Sequence, residues 1–340
     1  MRAESGQRHL NAMELFRLAD ELRVPAAYFV ASPPAAMVSR RQALRAKPTA
    51  TELLRFRLDV LLEQHARDTD WLVDHGVLRP PTGLPQPTDD PLALARNARS
   101  FLGETSGPLG PMAQVAERLA VYLRVVDLDA DGASVMLGTY SAAIIGAAPD
   151  PGRRRWTAAH EIGHHLLQDE YTADVGGVSA NRQERERLVD AFAGEFLLPC
   201  DDLARAVAGA DGDEIRSRLV AVAGEYRLSW SAVVTRASQC DLLPDDVVGR
   251  LRSRTPVRGD IVAVLGEEPV PDLAVDTCGP RWRQAVIQAH HDGLITKPRA
   301  AELLGDDFTV DDIPDPVGHV RPLRCNAPGP GRHHTYSAAI

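Results

Sequence analysis

The chain has 340 residues, of which 44% are hydrophobic, and its formal net charge is −9. This content suffices for a sizeable core in two or more units, and no apolar run approaches the roughly 18 residues of a membrane span. The start lacks the apolar core of a signal peptide, and Cys200, Cys240, Cys278 and Cys325 form no C-x-x-C pair. We therefore expect a cytoplasmic protein without membrane contact, with reduced isolated thiols and neither a disulfide framework nor a cysteine metal site.

The N-terminal segment 1–60 is basic, with ten Lys/Arg against six Asp/Glu, although the chain as a whole is acidic. Within them, Met13–Leu22 has the pattern of an amphipathic helix. This stretch is similar to the last helices of an XRE-type helix-turn-helix domain, and Glu4-x-Gly6-x-Arg8 resembles the end of its recognition helix. Only that tail is present, so either the chain has lost DNA binding or its true start lies upstream of Met1. We interpret residues 1–34 as a remnant and expect no autonomous sequence-specific DNA binding.

Residues 35–90 are predicted to be a helical linker region. Two helical patterns occupy Thr49–Leu78, and the proline-rich stretch Pro80–Pro91 indicates a loop or hinge. Helices near 91–103 and 112–122 are expected to follow.

Three strands are predicted next. Leu123–Leu128 is short and β-branched, and Asp129-Ala-Asp-Gly after it is a turn signal. Ser134–Tyr140 and Ser141–Ala147 give the other two strands. Asp150-Pro-Gly then breaks the sheet and leads into a helix.

That helix carries the motif His160-Glu161-x-x-His164. Two imidazoles four residues apart lie one turn above each other, so both can bind a single zinc ion. The adjacent Glu161 can act as general base on water bound to the metal. On a helical wheel both histidines border an apolar stripe, whereas His165 points away and is expected to be a bystander.

The third metal ligand must come from elsewhere. The continuation H-E-x-x-H-x-x-G-x-x-H fails, because Leu167 and Glu170 occupy the Gly and His positions. A helix over Glu184–Leu198, ended by Pro199, offers three glutamates.

Glu186 borders the apolar face of that helix, so it is the predicted third ligand. Asp190, one turn on, is expected to orient a ligating His through its free ring N–H. Glu184 and Glu195 project to the opposite side, where Glu195 is solvated or pairs with an Arg. The alternative for Glu186 and Asp190 is an ordinary amphipathic helix with two border acids.

Residues 153–164 and 186–199 together resemble the two sequence blocks of the ImmA/IrrE family of metallopeptidases, strongly over about 120–200 and more loosely over about 90–255. Val189-Asp190 departs from the Ala-Asn more usual in the family, but Asp keeps the hydrogen-bonding role. The resemblance implies an α+β, predominantly helical, small zincin-like domain, with a short antiparallel sheet packed on the HExxH helix. It also implies His160, His164 and Glu186 as zinc ligands and Glu161 as base.

By this resemblance the chain is expected to be a zinc-dependent endopeptidase that cleaves a regulatory protein, commonly a helix-turn-helix repressor, or an antitoxin-type partner. The alternative is a non-catalytic transcriptional regulator or partner-docking protein with the same fold. Zinc is inferred from ligand types, and manganese or iron would tolerate the same set. Tyr171 is the nearest candidate oxyanion donor, although it is also placed to pack under a loop.

The metallopeptidase domain is assigned to residues 91–255, followed by a C-terminal helical region at 256–322 and a disordered tail at 323–340. Helices are predicted at 201–208, 212–226, 229–238, 244–254, 282–291 and 297–304. The helix opened by Ser229 suits either a DNA recognition helix or ordinary core. His290 and His291 are assigned to the surface.

Overall fold

The computed structural model describes residues 8–30, 49–147, 150–168, 179–305 and 307–315. The predicted tail at 323–340 lies outside these residues, as do Glu4 and Gly6. The chain divides into two units, residues 1–285 and 286–340. Among the described residues, no helix combines the length and the apolar character that a membrane crossing requires.

The described part of the chain is mainly helical and contains one small sheet, as the predicted α+β class requires. Its strands are β1 Val121–Val126, β2 Gly132–Met136 and β3 Ser141–Gly146. Its helices are α1 Ala12–Leu22, α2 Ala50–Asp74, α3 Pro91–Leu102, α4 Met112–Arg118, α5 Pro151–Leu166, α6 Ser179–Leu197, α7 Cys200–Val207, α8 Gly212–Glu225, α9 Trp230–Gln239, α10 Asp245–Ser253, α11 Arg258–Leu265, α12 Pro280–His291 and α13 Lys297–Leu304. Sequence patterns predicted most of these helices but missed α11.

The prediction of two helices within 49–78 is wrong, because α2 is one continuous helix of 25 residues. It starts at a capping box in which Thr49 and Glu52 satisfy each other's backbone N–H groups. Glu63, His65 and Thr69 are buried in its middle, and these polar side chains interrupt the apolar periodicity. The interruption looked like a helix boundary in the sequence.

The sheet has the strand order β1-β3-β2 and is mixed. β2 and β3 pair antiparallel as a hairpin, whereas β1 and β3 pair parallel. This corrects the expected antiparallel sheet. The segment after β1 carries the chain to the far edge, so β3 returns through the centre beside β1 in the same direction. Gly146 allows this crossing, because a Cβ there would collide with the backbone of Ala130.

Helices cover both faces of the sheet. On one face Leu58, Leu62 and Ala66 of α2 pack against apolar side chains of the three strands. On the other face Ala158, Ala159 and Ile162 of α5 join the main core with Val121, Leu123, Val125, Ala143 and Ile145. The segment predicted as a linker therefore contains a helix that buries one face of the sheet. The opposite face positions α5.

His65 of α2 is buried, at 3% exposure. Its Nε2 lies 3.0 Å from the carbonyl oxygen of Tyr122, so Nε2 carries the proton and donates it. The buried Nδ1 has no hydrogen-bond partner. Burial, together with the positive charge of Arg124, lowers the pKa of His65 to about 3. The folded protein therefore holds this ring neutral at all physiological pH values.

This neutral His65 predicts a loss of stability in acid. Below a pH of about 6.5, the pKa of a histidine in the unfolded chain, His65 takes up a proton when the protein unfolds. The free energy of unfolding therefore decreases as the pH is lowered, until the pKa of His65 in the folded protein is reached. Between pH 7 and pH 4.5 we expect His65 to account for about 2–3 kcal/mol of that fall. Urea denaturation at both pH values should show a correspondingly smaller fall in His65→Gln. His75→Gln, at an exposed position, is the control. An equal decrease in the free energy of unfolding in the wild type, His65→Gln and His75→Gln would contradict the prediction.

Cys200 and Cys240 form a disulfide, which corrects the expectation of isolated thiols. Cys200 begins α7 and Cys240 follows α9, and their Cα atoms lie 5.7 Å apart. Spacing alone could not pair them, because 40 residues separate them and only the helix packing brings them together. Cys278 is a free buried thiol, and burial raises its pKa to about 11.

In the second unit, His290 is buried, which corrects its assignment to the surface. Its Nδ1 lies 3.2 Å from the carbonyl oxygen of Ile295, and its Nε2 lies 3.1 Å from that of Pro314. Gly293, with φ of +69°, turns the chain after α12 so that these carbonyls reach the ring.

Candidate metal centre

The helix α5 begins at the Asp-Pro-Gly break that the sequence predicted. The Asp150 carboxylate accepts the backbone N–H of Gly152, and Pro151 occupies the first turn, where it needs no donor. Gly152 packs against the backbone of Leu228 and Ser229 so closely that no Cβ fits. These contacts fix where α5 begins and therefore where His160 and His164 lie along its axis.

The helix α6 lies beside α5 at short distance. At Gly163 of α5, a Cβ would come within 2.9 Å of Phe192 and 3.0 Å of Val189. Glycine at this position therefore lets the two helices approach, and α6 carries its carboxylates toward the histidines of α5. Val189 and Phe192 are buried, as the predicted apolar face of α6 requires.

The structure brings His160, His164 and Glu186 together. The Nε2 atoms of the two histidines are 3.1 Å apart, and Oε2 of Glu186 lies 3.2 Å from Nε2 of His160 and 4.0 Å from that of His164. Ligand atoms of a tetrahedral zinc ion lie about 3.3 Å apart, given bonds of about 2.0–2.2 Å. Two imidazoles and a carboxylate at these separations could together hold a divalent metal ion.

Asp190 holds the ring of His160 from behind. Its Oδ1 lies 3.0 Å from Nδ1 of His160, so the Nδ1–H group donates to the carboxylate and Nε2 faces Glu186. Burial opposes a charged ring, but the hydrogen bond to Asp190 and the charges of Glu161, Asp190 and Glu186 outweigh it and raise the pKa of His160. Asp190 thus contacts the ring of His160, and its role in orienting a metal ligand stays a prediction.

Glu161 is buried beside the cluster, at 6% exposure. Its Oε2 accepts a hydrogen bond of 2.5 Å from the hydroxyl of Ser134 on β2. Ser134 is not among the site residues predicted from the sequence. The signal was available in the strand pattern, because alternate residues of β2 face α5 and its only hydroxyl residue lies on that side.

His165 is not the outward-facing bystander that the helical wheel suggested. It is buried at 6% exposure, and its Nδ1 lies 2.8 Å from the hydroxyl of Ser141 on β3. Burial lowers the pKa of His165 to about 4. The reason is that α5 is covered on two sides, by the sheet and by α6, so the face opposite the metal cluster is interior as well.

The remaining candidates divide as follows. Glu184 is exposed, and Glu195 is buried in an ion pair with Arg236, one of the two alternatives foreseen for it. Tyr171, the candidate oxyanion donor, lies outside the described residues. A cavity of about 280 Å³ adjoins the two helices. Among the side chains that line it, Arg185 and Val189 of α6 flank Glu186.

Residues 116–238 match the family model of the IrrE N-terminal-like domain, Peptidase_M78. The matched residues include the sheet, α5 and α6, and so the whole His160–His164–Glu186 cluster. This match supports the resemblance to the ImmA/IrrE family and a metallopeptidase role for the domain. No curated protein and no solved structure matches the chain.

Proposed function

We propose that the chain is a zinc-dependent endopeptidase whose substrate is a regulatory protein. The observation that carries the proposal is the convergence of His160, His164 and Glu186, with the carboxylate of Glu161 beside them, inside a domain that matches a peptidase family. Three protein ligands leave one position of a tetrahedral ion open, which is the usual arrangement of a catalytic rather than a structural zinc site.

In this proposal His160, His164 and Glu186 hold the metal, and Asp190 fixes the orientation of His160. When bound, zinc polarises the scissile carbonyl and makes water nucleophilic near neutral pH. Glu161 accepts the proton of the attacking water and returns it to the leaving amine. Its carboxylate is the only one on α5, and it is not among the proposed ligands. The peptide bond then breaks into a carboxylate and an amine.

A substrate segment fits beside β2. This strand lies at the edge of the sheet, pairs with β3 on one side and packs on α5. An extended peptide can add to such an edge by main-chain hydrogen bonds, which places its backbone next to the metal cluster with little demand on side chains. The resemblance to the ImmA/IrrE family suggests that the segment belongs to a helix-turn-helix repressor or an antitoxin-type partner.

Metal analysis tests the proposed ligands. We expect purified wild-type protein to carry about one divalent ion per chain, predominantly zinc, and His160→Ala to lose most of it. His75→Ala, at an exposed position, is the matched control and should keep the full content. Full metal content in His160→Ala would place the ion elsewhere, and manganese or iron in the wild type would replace zinc in the proposal.

Mapping of new N-termini tests the peptidase activity. The zinc-loaded protein and its His160→Ala variant are incubated separately with the proteome of the source organism, and new termini are identified by mass spectrometry. We expect a small set of termini in one regulatory protein, produced by the wild type alone. If the wild type binds metal and produces no such termini, the alternative is correct and the domain serves as a partner-docking regulator.

A further inference from the structure

The carboxylate of Glu161 lies against the edge strand β2. Oε2 accepts the hydrogen bond from the hydroxyl of Ser134. Oε1 lies 3.4 Å from the point that a Cβ on Gly132 would occupy. A carboxylate in its ionised form only accepts, so the serine hydroxyl is the donor. The candidate base is therefore held from the sheet as well as from its own helix.

Gly132 and Ser134 both face α5, because alternate residues of a strand share a face. A Cβ on Gly132 would lie 2.6 Å from Cγ2 of Thr157 and 3.0 Å from the carbonyl oxygen of Ile144. Glycine at this position thus lets β2 and α5 approach closely. The approach in turn brings the Ser134 hydroxyl within hydrogen-bonding distance of Glu161.

We propose that Ser134 is a positioning residue for the base Glu161, an inference that rests on the proposed peptidase function. A glutamate side chain has three rotatable torsions, and a short hydrogen bond to its charged end removes most of that freedom. Because β2 is also the strand beside which the substrate is proposed to lie, the same strand sets the positions of the base and of the peptide relative to each other. General-base catalysis depends on such placement to within hydrogen-bonding distance.

Kinetics of three variants test the inference. The probe is a quenched fluorogenic peptide that spans the first cleavage site mapped with the wild-type protein. We expect Ser134→Ala to lower kcat about tenfold with KM within about twofold, because it removes a hydrogen bond to a charged group that acts in the chemical step. Ser134→Thr keeps the hydroxyl in a residue that strands favour, and should recover kcat to within about threefold of the wild type.

Ser141→Ala is the matched control. It removes a buried hydroxyl from the neighbouring strand that contacts His165 on the same helix but not Glu161. We expect its kcat to stay within about twofold of the wild type. An equal loss in Ser141→Ala, no loss in Ser134→Ala, or no recovery in Ser134→Thr would each overturn the positioning role.

Infrared spectroscopy gives a readout that needs no turnover. The carboxylate band of Glu161 is identified as the one lost in Glu161→Gln. We expect its antisymmetric stretch to move to higher wavenumber in Ser134→Ala and to stay in place in Ser134→Thr, since only the former removes the donor. An unmoved band overturns the inference, whether or not the protein cleaves the peptide. Absence of cleavage by the wild type, with the band shift present, instead refutes the proposed function alone.

Discussion

Replacement of Glu161 by Gln is expected to lower kcat by about 10²–10⁴-fold, the usual contribution of a general base, while the metal content stays at the wild-type level. The amide has nearly the volume of the carboxylate and can still contact Ser134. It cannot accept a proton from water at neutral pH. None of the three proposed ligands is altered, so the variant separates binding of the metal from the chemistry. The measurements are metal content and the rate of cleavage of the peptide mapped with the wild-type protein.

Glu184→Gln is the control for this prediction. It makes the same chemical change at an exposed position of α6, two residues before the proposed ligand Glu186. Its activity should equal that of the wild type. Wild-type activity in Glu161→Gln would remove Glu161 from the mechanism. Loss of metal in that variant would assign Glu161 a structural share in the centre instead.

The residues of the candidate cluster could be selected from the sequence because one helix turn is a fixed distance. His160 and His164 were placed together by their spacing, and Glu186 and Asp190 by their position at the border of an apolar face. Both are local properties of a helix, so they do not depend on how the helix packs in the folded protein. The relation between α5 and α6 could not be derived from spacing, because it depends on the contact of Gly163 with Val189 and Phe192.

Three of the wrong predictions share a physical cause. A helical wheel assumes one buried face and one exposed face, and on this assumption His165 is exposed. The helix α5 instead has neighbours on opposite sides, so His165 is buried. Likewise, three short strands in sequence suggest a meander, and the sheet is mixed because residues 127–131 cross past Gly146 to the far edge. The disulfide depends on where α7 begins and α9 ends. Each of these three errors concerns contacts between elements that are distant in sequence.

The burial of charged residues could not be predicted from hydrophobic periodicity either. From the sequence, Glu195 is expected to be either solvated or paired, because a charged residue opposite an apolar face is usually exposed. In the structure it is 5% exposed, and Arg236 is 4% exposed. Arg236 also donates from Nε to the carbonyl oxygen of Leu198 at 3.0 Å, and Oε2 of Glu195 accepts the backbone N–H of Cys200 at 3.3 Å. The pair thus joins the end of α6 to α9.

Removal of one partner of this pair should be costly. We expect Glu195→Ala to lower the free energy of unfolding by about 3–5 kcal/mol, because it leaves the guanidinium of Arg236 buried without its counter-charge. Burial already lowers the pKa of Arg236, and only the nearby carboxylate offsets that effect. Urea denaturation measures the change. The exposed pair of Asp246 and Arg250 gives the comparison, and Asp246→Ala should cost less than about 1 kcal/mol.

The double variant Glu195→Leu/Arg236→Met distinguishes the loss of an attraction from the exposure of a lone charge. If the cost of Glu195→Ala comes from the stranded guanidinium, replacing both partners by apolar side chains should recover most of the stability. Equal instability of the single and the double variant would mean that the bonds to Leu198 and Cys200 carry the energy. Because α6 also carries Glu186 and Asp190, metal content measured alongside shows how far a disturbance at its C-terminal end reaches the cluster.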